Sequence, residues 1–330
     1  MLSNLANKIL EKQPITKSDA LIIAKSEDCS EVNNYKISPL LELFLVANKI
    51  REAFRGNSVE MCAIVNAKSG GCTEDCSYCA QSSRHSTNIT TYPLIKKEIV
   101  IEKAKEARDK GVKRFCIVTS GRKIGRNELK EISLMIKEIK KLGLLPCATL
   151  GLLNRDELLY LKDNGLIRYH HNLETSERFF PEICSSHTYY DKLKTIEAAK
   201  SVGLSVCSGG IFGMGETWED RIDMALDLRN LDIDSVPINF LIPIKGTKLS
   251  NIEPMHPFEA LKIISLYKLI LPEKDIRICA GRVQVLKEFH PLIFMAGADS
   301  ILTGNYLTTI GRTYEDDLIL IDQLGLKVNK

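Results

Sequence analysis

The sequence predicts an α/β fold, a (β/α)8 barrel of the TIM type with an N-terminal helical extension. From about residue 59, short β-rich apolar runs alternate with longer segments of helical period, a pattern typical of parallel βα units. Eight such units in roughly 260 residues match the size of this barrel. Hydrophobic residues make up 44% and charged residues 26% of the chain, which excludes extensive disorder. A doubly wound open sheet fits the same alternation and remains the structural alternative.

Residues 1–58 are predicted to form two or three helices, including the apolar stripe over 38–54, and we expect them to cap the barrel. The predicted domains are therefore an N-terminal helical extension, 1–58, and a barrel domain, 59–330.

The eight candidate strands share β-rich apolar composition, and lie at 59–67, 114–121, 145–151, 166–174, 204–212, 235–243, 275–281 and 298–304. Between them, apolar residues recur three and four apart, as in residues 99–111. Several of these segments end in glycine, a common stop just beyond a helix: Gly111, Gly143, Gly165, Gly203 and Gly325.

The charge balance argues against a polyanionic partner, since 45 Lys and Arg against 42 Asp and Glu give a net charge of only +3. No apolar run reaches the roughly 18 residues of a membrane span. The first 20 residues lack the unbroken apolar stretch of a signal peptide. We therefore expect a cytoplasmic protein that binds neither nucleic acid nor membrane.

Ten cysteines are unusual in such a chain, and in a reducing compartment clustered cysteines indicate metal binding or catalysis. Cys72, Cys76 and Cys79 are spaced Cys-x3-Cys-x2-Cys on a loop opened by Gly70 and Gly71, directly after the first strand. Three thiolates this close can converge on one metal centre. The loop would lie where barrel active sites lie.

A structural zinc knuckle and coincidental free thiols are the alternatives for this cluster. Zinc sites of this kind supply four ligands, and the nearest candidate, His85, is six residues beyond Cys79. Three ligands suit a four-iron cluster with one iron left open for chemistry.

At these residues the sequence resembles the radical S-adenosylmethionine superfamily, whose signature has this spacing with an aromatic residue, here Tyr78, before the third cysteine. The resemblance implies a [4Fe-4S] cluster whose open iron is chelated by the methionine moiety of S-adenosyl-L-methionine. It also implies that an electron delivered through the cluster cleaves this cofactor to a 5′-deoxyadenosyl radical.

A second element, with Gly209, Ile211, Gly213 and Glu216, resembles the superfamily's Gly-x-Ile-x-Gly-x-x-Glu segment beside the adenine. A plain tight turn is the alternative, because glycines are common at strand ends. A dinucleotide-binding fold fits less well, since its glycine motif would follow the first strand, where this chain has cysteines.

Cys116, Cys147 and Cys207 each lie near the middle of a predicted strand, so three distant thiols could meet inside one barrel. Each alone could equally be a buried small hydrophobe. Arg277 lies between Ile276 and Ile278, so it faces inward if the isoleucines pack against the helices. A buried guanidinium needs negative partners, which a thiolate-bound cluster or an ordinary salt bridge would supply.

Within the superfamily the chain resembles the biotin synthase family from about residue 40 to the end. The matching segments are 69–84, 114–118, 147–151, 171–175, 188–193, 207–216, 235–247, 276–282 and 294–301. The resemblance implies that Cys116, Cys147, Cys207 and Arg277 hold a [2Fe-2S] cluster that donates sulfur. Four further cysteines match none of the family's ligand positions and are interpreted as incidental packing or surface thiols: Cys29, Cys62, Cys184 and Cys279.

The family's reaction is the radical insertion of sulfur into dethiobiotin to form biotin, in which no side chain acts as catalytic acid or base. The resemblance implies that Asn172 and Glu174 contact substrate and the adenosyl ribose, and that Asn239 faces the ureido ring. Lys68 is a candidate for the substrate carboxylate, with a solvated lysine as the alternative.

Two positions depart from the family pattern. Lys192 stands where many relatives carry an arginine that contacts S-adenosylmethionine, and a lysine loses the bidentate fork of that arginine. His170 stands where many relatives carry asparagine, and we interpret His170 and His171 as polar residues at a strand end. The resemblance also implies an electron-donor protein of the flavodoxin or ferredoxin type, iron-sulfur assembly machinery and a homodimer.

Two other functions remain open from the sequence. A related radical enzyme, such as a hydrogenase-cluster maturase or a methylornithine-forming mutase, would share Cys72, Cys76 and Cys79 without requiring the interior cysteines and Arg277. A non-catalytic iron-sulfur carrier or sensor would use the clusters only for electron or sulfur storage.

Overall fold

The computed structural model describes residues 2–26, 30–32 and 35–329, so Cys29 lies outside the described residues. The helices are α1 Leu2–Leu10, α2 Lys17–Lys25, α3 Pro39–Arg55, α4 Lys97–Asp109, α5 Arg126–Lys141, α6 Arg155–Asp163, α7 Phe180–Ile183, α8 Tyr189–Ser201, α9 Trp218–Asn230, α10 Pro257–Ile270, α11 Arg282–Leu286, α12 Leu292–Met295 and α13 Tyr314–Gln323. The strands are β1 Ser30–Val32, β2 Tyr35–Ile37, β3 Ser58–Lys68, β4 Arg114–Thr119, β5 Leu145–Thr149, β6 Arg168–His170, β7 Ser205–Cys207, β8 Gly210–Phe212, β9 Ser235–Phe240, β10 Asp275–Ile278, β11 Ser300–Leu302 and β12 Lys327–Val328.

Eight parallel strands close into a barrel in the order β3, β4, β5, β6, β7, β9, β10 and β11. The pairing of β11 with β3 and the pairing of β9 with β10 complete the ring. An open doubly wound sheet would leave two edges unpaired, so this closure excludes the structural alternative and confirms the predicted barrel.

The predicted fifth strand, 204–212, is interrupted and forms β7 and β8. The cause is the close approach of the backbone to β9, because a Cβ atom on Gly209 would lie 2.1 Å from the carbonyl oxygen of Pro237. Only β7 belongs to the barrel ring, while β8 pairs alongside β9 above it. Beyond the predicted strands, the chain also forms the β1–β2 hairpin and β12, which pairs with the start of β3.

The N-terminal helices pack on the outer helical layer. Helix α3 contacts α10 and α12, α1 contacts α3, and α2 contacts α9 and α10. Helix α3 ends at Arg55 and β3 begins at Ser58, beside the boundary drawn from the sequence. The division of the chain into two domains, and the capping role of the first, stay predictions.

The main hydrophobic core lies between the strands and the surrounding helices. Ile276 and Ile278 of β10 are fully buried in this layer, which turns Arg277 between them to the barrel interior. Strands therefore direct apolar side chains outward and polar or sulfur-bearing side chains inward at several positions. Among the described residues, no helix combines the length and apolar character needed to cross a membrane.

Candidate active site

A cavity of about 400 Å³ occupies the barrel interior and its mouth. Most of the residues predicted for a site line it: Cys72, Cys76, Tyr78, Cys79, Cys116, Cys147, Asn172, Glu174, Lys192, Cys207, Ile211, Asn239 and Arg277. Four predicted residues do not line it: Lys68, Gly209, Gly213 and Glu216. The structure thus brings both predicted thiol groups to one cavity.

The first cysteine loop folds back on itself at the end of β3. The Cys72 N–H donates to the Gln81 carbonyl at 3.1 Å, and the Ser83 N–H donates to the Cys72 carbonyl at 2.7 Å. Gly70 has φ +73°, and a Cβ there would lie 2.4 Å from the Thr91 hydroxyl oxygen. This close packing requires glycine at position 70 and fixes the direction in which the loop leaves the strand.

Two thiols of this loop, those of Cys76 and Cys79, are poor thiolates in the protein without a cluster. Burial raises the pKa of Cys79 to about 11. A hydrogen bond with Cys184, together with burial, raises the pKa of Cys76 well above its usual range. Because iron binds the deprotonated form, loading a cluster here releases protons.

The interior thiols come from three strands of the ring. Cys116 on β4 lies directly opposite Cys147 on β5, and Cys207 on β7 pairs with Ser235 on β9. All three side chains are buried. Their thiols therefore face a common interior space, although residues 116 and 207 are far apart in sequence.

Arg277 is held in this interior by ion pairs. Its Nη2 lies 2.7 Å from carboxylate oxygens of both Glu60 and Asp275, and its Nη1 lies 3.9 Å from the Cys207 sulfur. The salt-bridge explanation therefore applies, and the other terminal nitrogen of the guanidinium faces a thiol. Whether Arg277 is a cluster ligand stays a prediction.

Two more guanidinium groups reach the same interior. The Arg114 Nη1 lies 3.7 Å from the Cys147 sulfur, and its Nε donates to Glu60 at 3.1 Å. The Nη1 of Arg168 is buried and has no hydrogen-bond partner among the described residues. Three cations thus face two carboxylates, and one donor has no acceptor, so the interior fits an anionic group such as a thiolate-bound iron-sulfur cluster.

Cys62 and Cys279 line this cavity too and are buried, so neither is a surface thiol. Burial raises the pKa of Cys62 to about 12. The signal for Cys279 was present in the sequence, because it lies two residues after Arg277 and shares its strand face. The interior therefore offers five thiols.

Asn172, Glu174 and Tyr78 form a connected group at the mouth. The Asn172 amide donates to Glu174 at 3.3 Å and its oxygen accepts from the Gly209 N–H at 3.2 Å. Glu174 has φ +76° and its carbonyl accepts from the Ile211 N–H at 2.9 Å, which ties it to β8. Burial raises the pKa of the Glu174 carboxyl, and burial raises that of the Tyr78 phenol well above its usual range.

His170 and His171 line the cavity as uncharged rings. His170 contacts the Asn172 amide oxygen through Nε2 at 2.9 Å, and burial lowers its pKa to about 4. Burial also lowers the pKa of His171 well below its usual range, and its Nε2 has no partner among the described residues.

The glycine segment shapes a turn next to the cavity. The Glu216 carboxylate accepts from the N–H groups of Gly213 and Met214 at 2.9 and 2.8 Å, and from the Arg221 Nε at 2.7 Å. Gly213 has φ +93°, a conformation that favours glycine. Gly213 and Glu216 therefore position the backbone that places Ile211 at the cavity wall.

Asn239 bridges two strand ends, donating to the Gly210 carbonyl and accepting from the Ala280 N–H, both at 3.1 Å. One N–H and one lone pair of this amide remain for a ligand. Lys192 is nearly buried, with its ammonium 5.9 Å from the centre of the Phe180 ring. Lys68 instead pairs with Glu128 on α5 at 2.8 Å, so its predicted contact with substrate has no support in this geometry.

Cys184 is a residue that the sequence interpretation passed over. Its sulfur lies 3.8 Å from that of Cys76 and 3.3 Å from the Nδ1 of His187. Hydrogen bonds from Cys76 and His187 lower its pKa to about 4, although the side chain is buried. The pairing of residues 108 positions apart left no signal in the sequence.

Comparison with known proteins agrees with this geometry. Residues 67–228 match the Radical SAM superfamily, and residues 237–327 match the Biotin and Thiamin Synthesis associated domain. The barrel, the cysteine loop at its mouth and these matches define the chain as a radical S-adenosylmethionine enzyme.

Relatives that match most of the chain identify one family within this class of enzymes. Biotin synthase of Thermodesulfovibrio yellowstonii is 56% identical, covering 88% of this chain and 92% of its own length. Biotin synthase of Fusobacterium nucleatum is 47% identical over 99% of this chain and 90% of its own, and that of Pelotomaculum thermopropionicum is 43% identical over 99% and 100%. The chain belongs to the biotin synthase family.

Solved structures support the fold. A methylornithine synthase superimposes with a TM-score of 0.82 at 21% identity, covering 99% of this chain and 97% of its own. The FeFe-hydrogenase maturase of Carboxydothermus hydrogenoformans gives 0.80 at 17% identity, covering 99% and 79%. At these identities the likeness shows the fold alone.

Proposed function

We propose that this chain is a sulfurtransferase that inserts sulfur into dethiobiotin to form biotin, the last step of biotin biosynthesis. The observation that carries the proposal is the single cavity lined by Cys72, Cys76 and Cys79 at its mouth and by Cys116, Cys147 and Cys207 in its interior. One set of thiols alone would suit many radical enzymes. Two sets that face one space, in a chain of this family, suit a reaction that needs two clusters.

The reaction replaces two C–H bonds of saturated carbons, which no side-chain base deprotonates, so cofactors carry that step. When bound, the [4Fe-4S] cluster with S-adenosyl-L-methionine supplies a 5′-deoxyadenosyl radical and the [2Fe-2S] cluster supplies the sulfur. Cys72, Cys76 and Cys79 would hold the first cluster. The interior trio with Arg277 would hold the second, in the cation-rich space described above.

The remaining residues bind and orient. Asn172 and Glu174 present amide and carboxylate groups for ribose hydroxyls and substrate, and Tyr78 packs beside them. Asn239 keeps one donor and one acceptor for a cyclic urea. Lys192 offers a cation, and the Ile211 side chain an apolar surface, to S-adenosylmethionine. The mainly apolar lining of the cavity disfavours water beside a radical intermediate.

The decisive test is an anaerobic assay of the reconstituted chain with S-adenosylmethionine, a reductant and dethiobiotin. We expect both biotin and 5′-deoxyadenosine. Deoxyadenosine without biotin would identify a related radical enzyme, and neither product would identify a cluster carrier. Cys147→Ser is the matched variant, and we expect it to release deoxyadenosine without biotin because only the interior trio is broken.

The proposal extends to partners and location. One-electron reduction of the outer cluster calls for a protein donor of the flavodoxin or ferredoxin type, and two clusters call for iron-sulfur assembly machinery. We also propose a homodimer, as the family resemblance implies, and a location in the cytoplasm, where the redox state keeps thiols reduced.

A further inference from the structure

One group of side chains beside the cavity has the geometry of a single-ion site. The ligand atoms of Cys76, Cys184 and His187 all lie within 4.8 Å of one another. Among the described residues, no other group of three His, Cys, Asp or Glu side chains meets this spacing. Neither the trio of Cys72, Cys76 and Cys79 nor the interior trio of Cys116, Cys147 and Cys207 meets this spacing.

We propose that in the cluster-free protein Cys76, Cys184 and His187 bind one thiophilic divalent cation of the Zn²⁺ or Fe²⁺ class. Two thiolates at about 2.3 Å from a tetrahedral zinc ion are about 3.8 Å apart. The sulfur atoms of Cys76 and Cys184 are 3.8 Å apart. A thiolate and an imidazole nitrogen on the same ion are about 3.5 Å apart, and the Cys184 sulfur lies 3.3 and 3.9 Å from the two ring nitrogens of His187.

The imidazole is oriented as a metal-bound histidine usually is. Its Nδ1 contacts the Glu74 carboxylate, which fixes the ring and leaves Nε2 as the ligand atom. The Phe180 ring packs edge-on against His187, with ring centres 5.5 Å apart. A carboxylate behind the histidine and an aromatic wall beside it define the shell around the site.

The loop that carries two of the ligands is fixed to the loop that carries the third. The Asp75 carboxylate accepts from the N–H groups of Ser185 and Ser186 at 2.9 and 3.0 Å. The Ser186 hydroxyl donates to Glu74 at 2.8 Å, and the Ser77 N–H donates to the Ile183 carbonyl at 2.8 Å. These contacts preorganise the ligand atoms, so binding a cation costs little rearrangement.

Local charge also favours a cation. Glu74 and Asp75 are nearly buried next to the two sulfurs. Their nearest permanent cations, Arg122 and Arg84, lie 3.8 and 3.9 Å away and are about half exposed. Since Cys76 also belongs to the predicted four-iron set, the ion and the outer cluster exclude each other. The site therefore belongs to the protein before cluster loading, and water would complete its fourth position.

The test is an anaerobic titration of the full-length, metal-free chain with Co²⁺, whose absorption reports tetrahedral thiolate coordination. The reference chain carries Cys72→Ser and Cys79→Ser, which breaks the outer trio and leaves the proposed ligands intact. Adding Cys184→Ser to it should remove one bound Co²⁺ per chain with its thiolate-to-metal band. Binding by the interior thiols is the same in both chains and cancels in the difference spectrum.

Two further variants separate a metal site from a merely structural loop. Ser185→Ala removes a contact to Asp75 without removing a ligand, so Co²⁺ binding should persist. Glu74→Gln removes the negative charge behind His187, keeps the side chain's size and leaves all three ligands in place. It should weaken Co²⁺ binding about 10- to 100-fold, and it also serves if the Cys184→Ser chain does not fold. Identical Co²⁺ spectra and affinities with and without Cys184→Ser, or unchanged affinity in Glu74→Gln, would overturn the proposal.

Discussion

Arg277 and the interior thiols show how single side chains define the chemistry of this barrel. The guanidinium is fully enclosed, faces Cys207 through one nitrogen and pairs with Glu60 and Asp275 through another. A charge so placed holds its neighbours in their ionised form and orders the cavity before any cofactor binds. Substitution of Cys207 tests cluster binding, and substitution of Arg277 tests the electrostatics of the interior.

Cys207→Ala should remove the interior cluster and spare the outer one. We expect reconstituted protein to lose about two irons per chain together with the visible absorption of the two-iron centre. Iron analysis and absorption spectra measure both. Val206→Ala is the control, because Val206 is the neighbouring residue and packs in the outer core; an unchanged spectrum in Cys207→Ala would rule out its ligand role.

Arg277→Met should destabilise the cluster-free chain by about 3–5 kcal/mol at pH 7, because it removes the close cation of the buried Asp275 carboxylate and leaves Glu60 paired only with Arg114. In the wild type, Arg277 and Ser300 hold the pKa of Asp275 well below its usual range although burial opposes this. A lowered pKa stabilises the fold above the unfolded value near 4 and stops doing so as the pH falls toward the folded value.

In Arg277→Met, the stability depends on pH in the opposite direction. Without the guanidinium, burial raises the pKa of the Asp275 carboxyl, so its protonation at lower pH relieves the penalty and the difference in stability from wild type should narrow between pH 7 and pH 5. Urea unfolding at both pH values measures it. Arg155→Met, at an exposed pair, should change stability by less than about 1 kcal/mol. A gap that stays constant with pH would refute this account of Arg277.

At the scale of elements, the junction of β7, β8 and β9 determines how the glycine segment reaches the cavity. The backbone of residues 209 and 210 approaches β9 and Glu174 so closely that a side chain has no room. Strand packing thus explains why position 209, predicted from the sequence to belong to a ligand-binding segment, requires glycine. We propose that the glycines of this segment act on S-adenosylmethionine binding indirectly, through the placement of Ile211 and the turn held by Glu216.

Gly209→Ala should destabilise the chain by about 2 kcal/mol or more, since its Cβ would overlap the Pro237 carbonyl oxygen. Thermal or urea unfolding reports the loss. Gly125→Ala is the matched control, because the nearest atom to its Cβ is 3.5 Å away and the cost should stay near 1 kcal/mol or below. Equal effects in the two variants would contradict the close-approach explanation.

At the scale of the whole molecule, closure of the barrel and coverage of its outer helices depend on distant parts of the chain. Helix α2 contacts α9 and α10, and the Ile15 carbonyl accepts from Arg229 at 2.9 Å. Lys17 forms ion pairs with Glu219 and Asp223 on α9 at 2.9 and 2.6 Å. The first two helices therefore belong to the outer layer and shield its apolar residues.

Removal of residues 2–25 should lower the thermal midpoint and promote self-association, because it exposes the apolar faces that α1 and α2 cover. Differential scanning calorimetry and light scattering of the cluster-free chain measure these effects. Lys17→Ala removes only exposed ion pairs and should leave the midpoint within a few degrees. A truncated chain that stays monomeric with an unchanged midpoint would show that the extension packs only loosely.

The sequence by itself determined the βα alternation and the cysteine loop after the first strand, and it predicted the closed barrel and the inward direction of Arg277, which the structure confirmed. These features depend on local spacing and on the alternation of strand faces, which a sequence records directly. Tertiary structure decided that Cys62 and Cys279 share the interior with the predicted thiols, that Lys68 pairs with Glu128, and that Cys184 lies against Cys76. Such contacts join residues that are distant in the chain. They depend on strand register and loop packing, which the spacing of residues in the sequence does not predict.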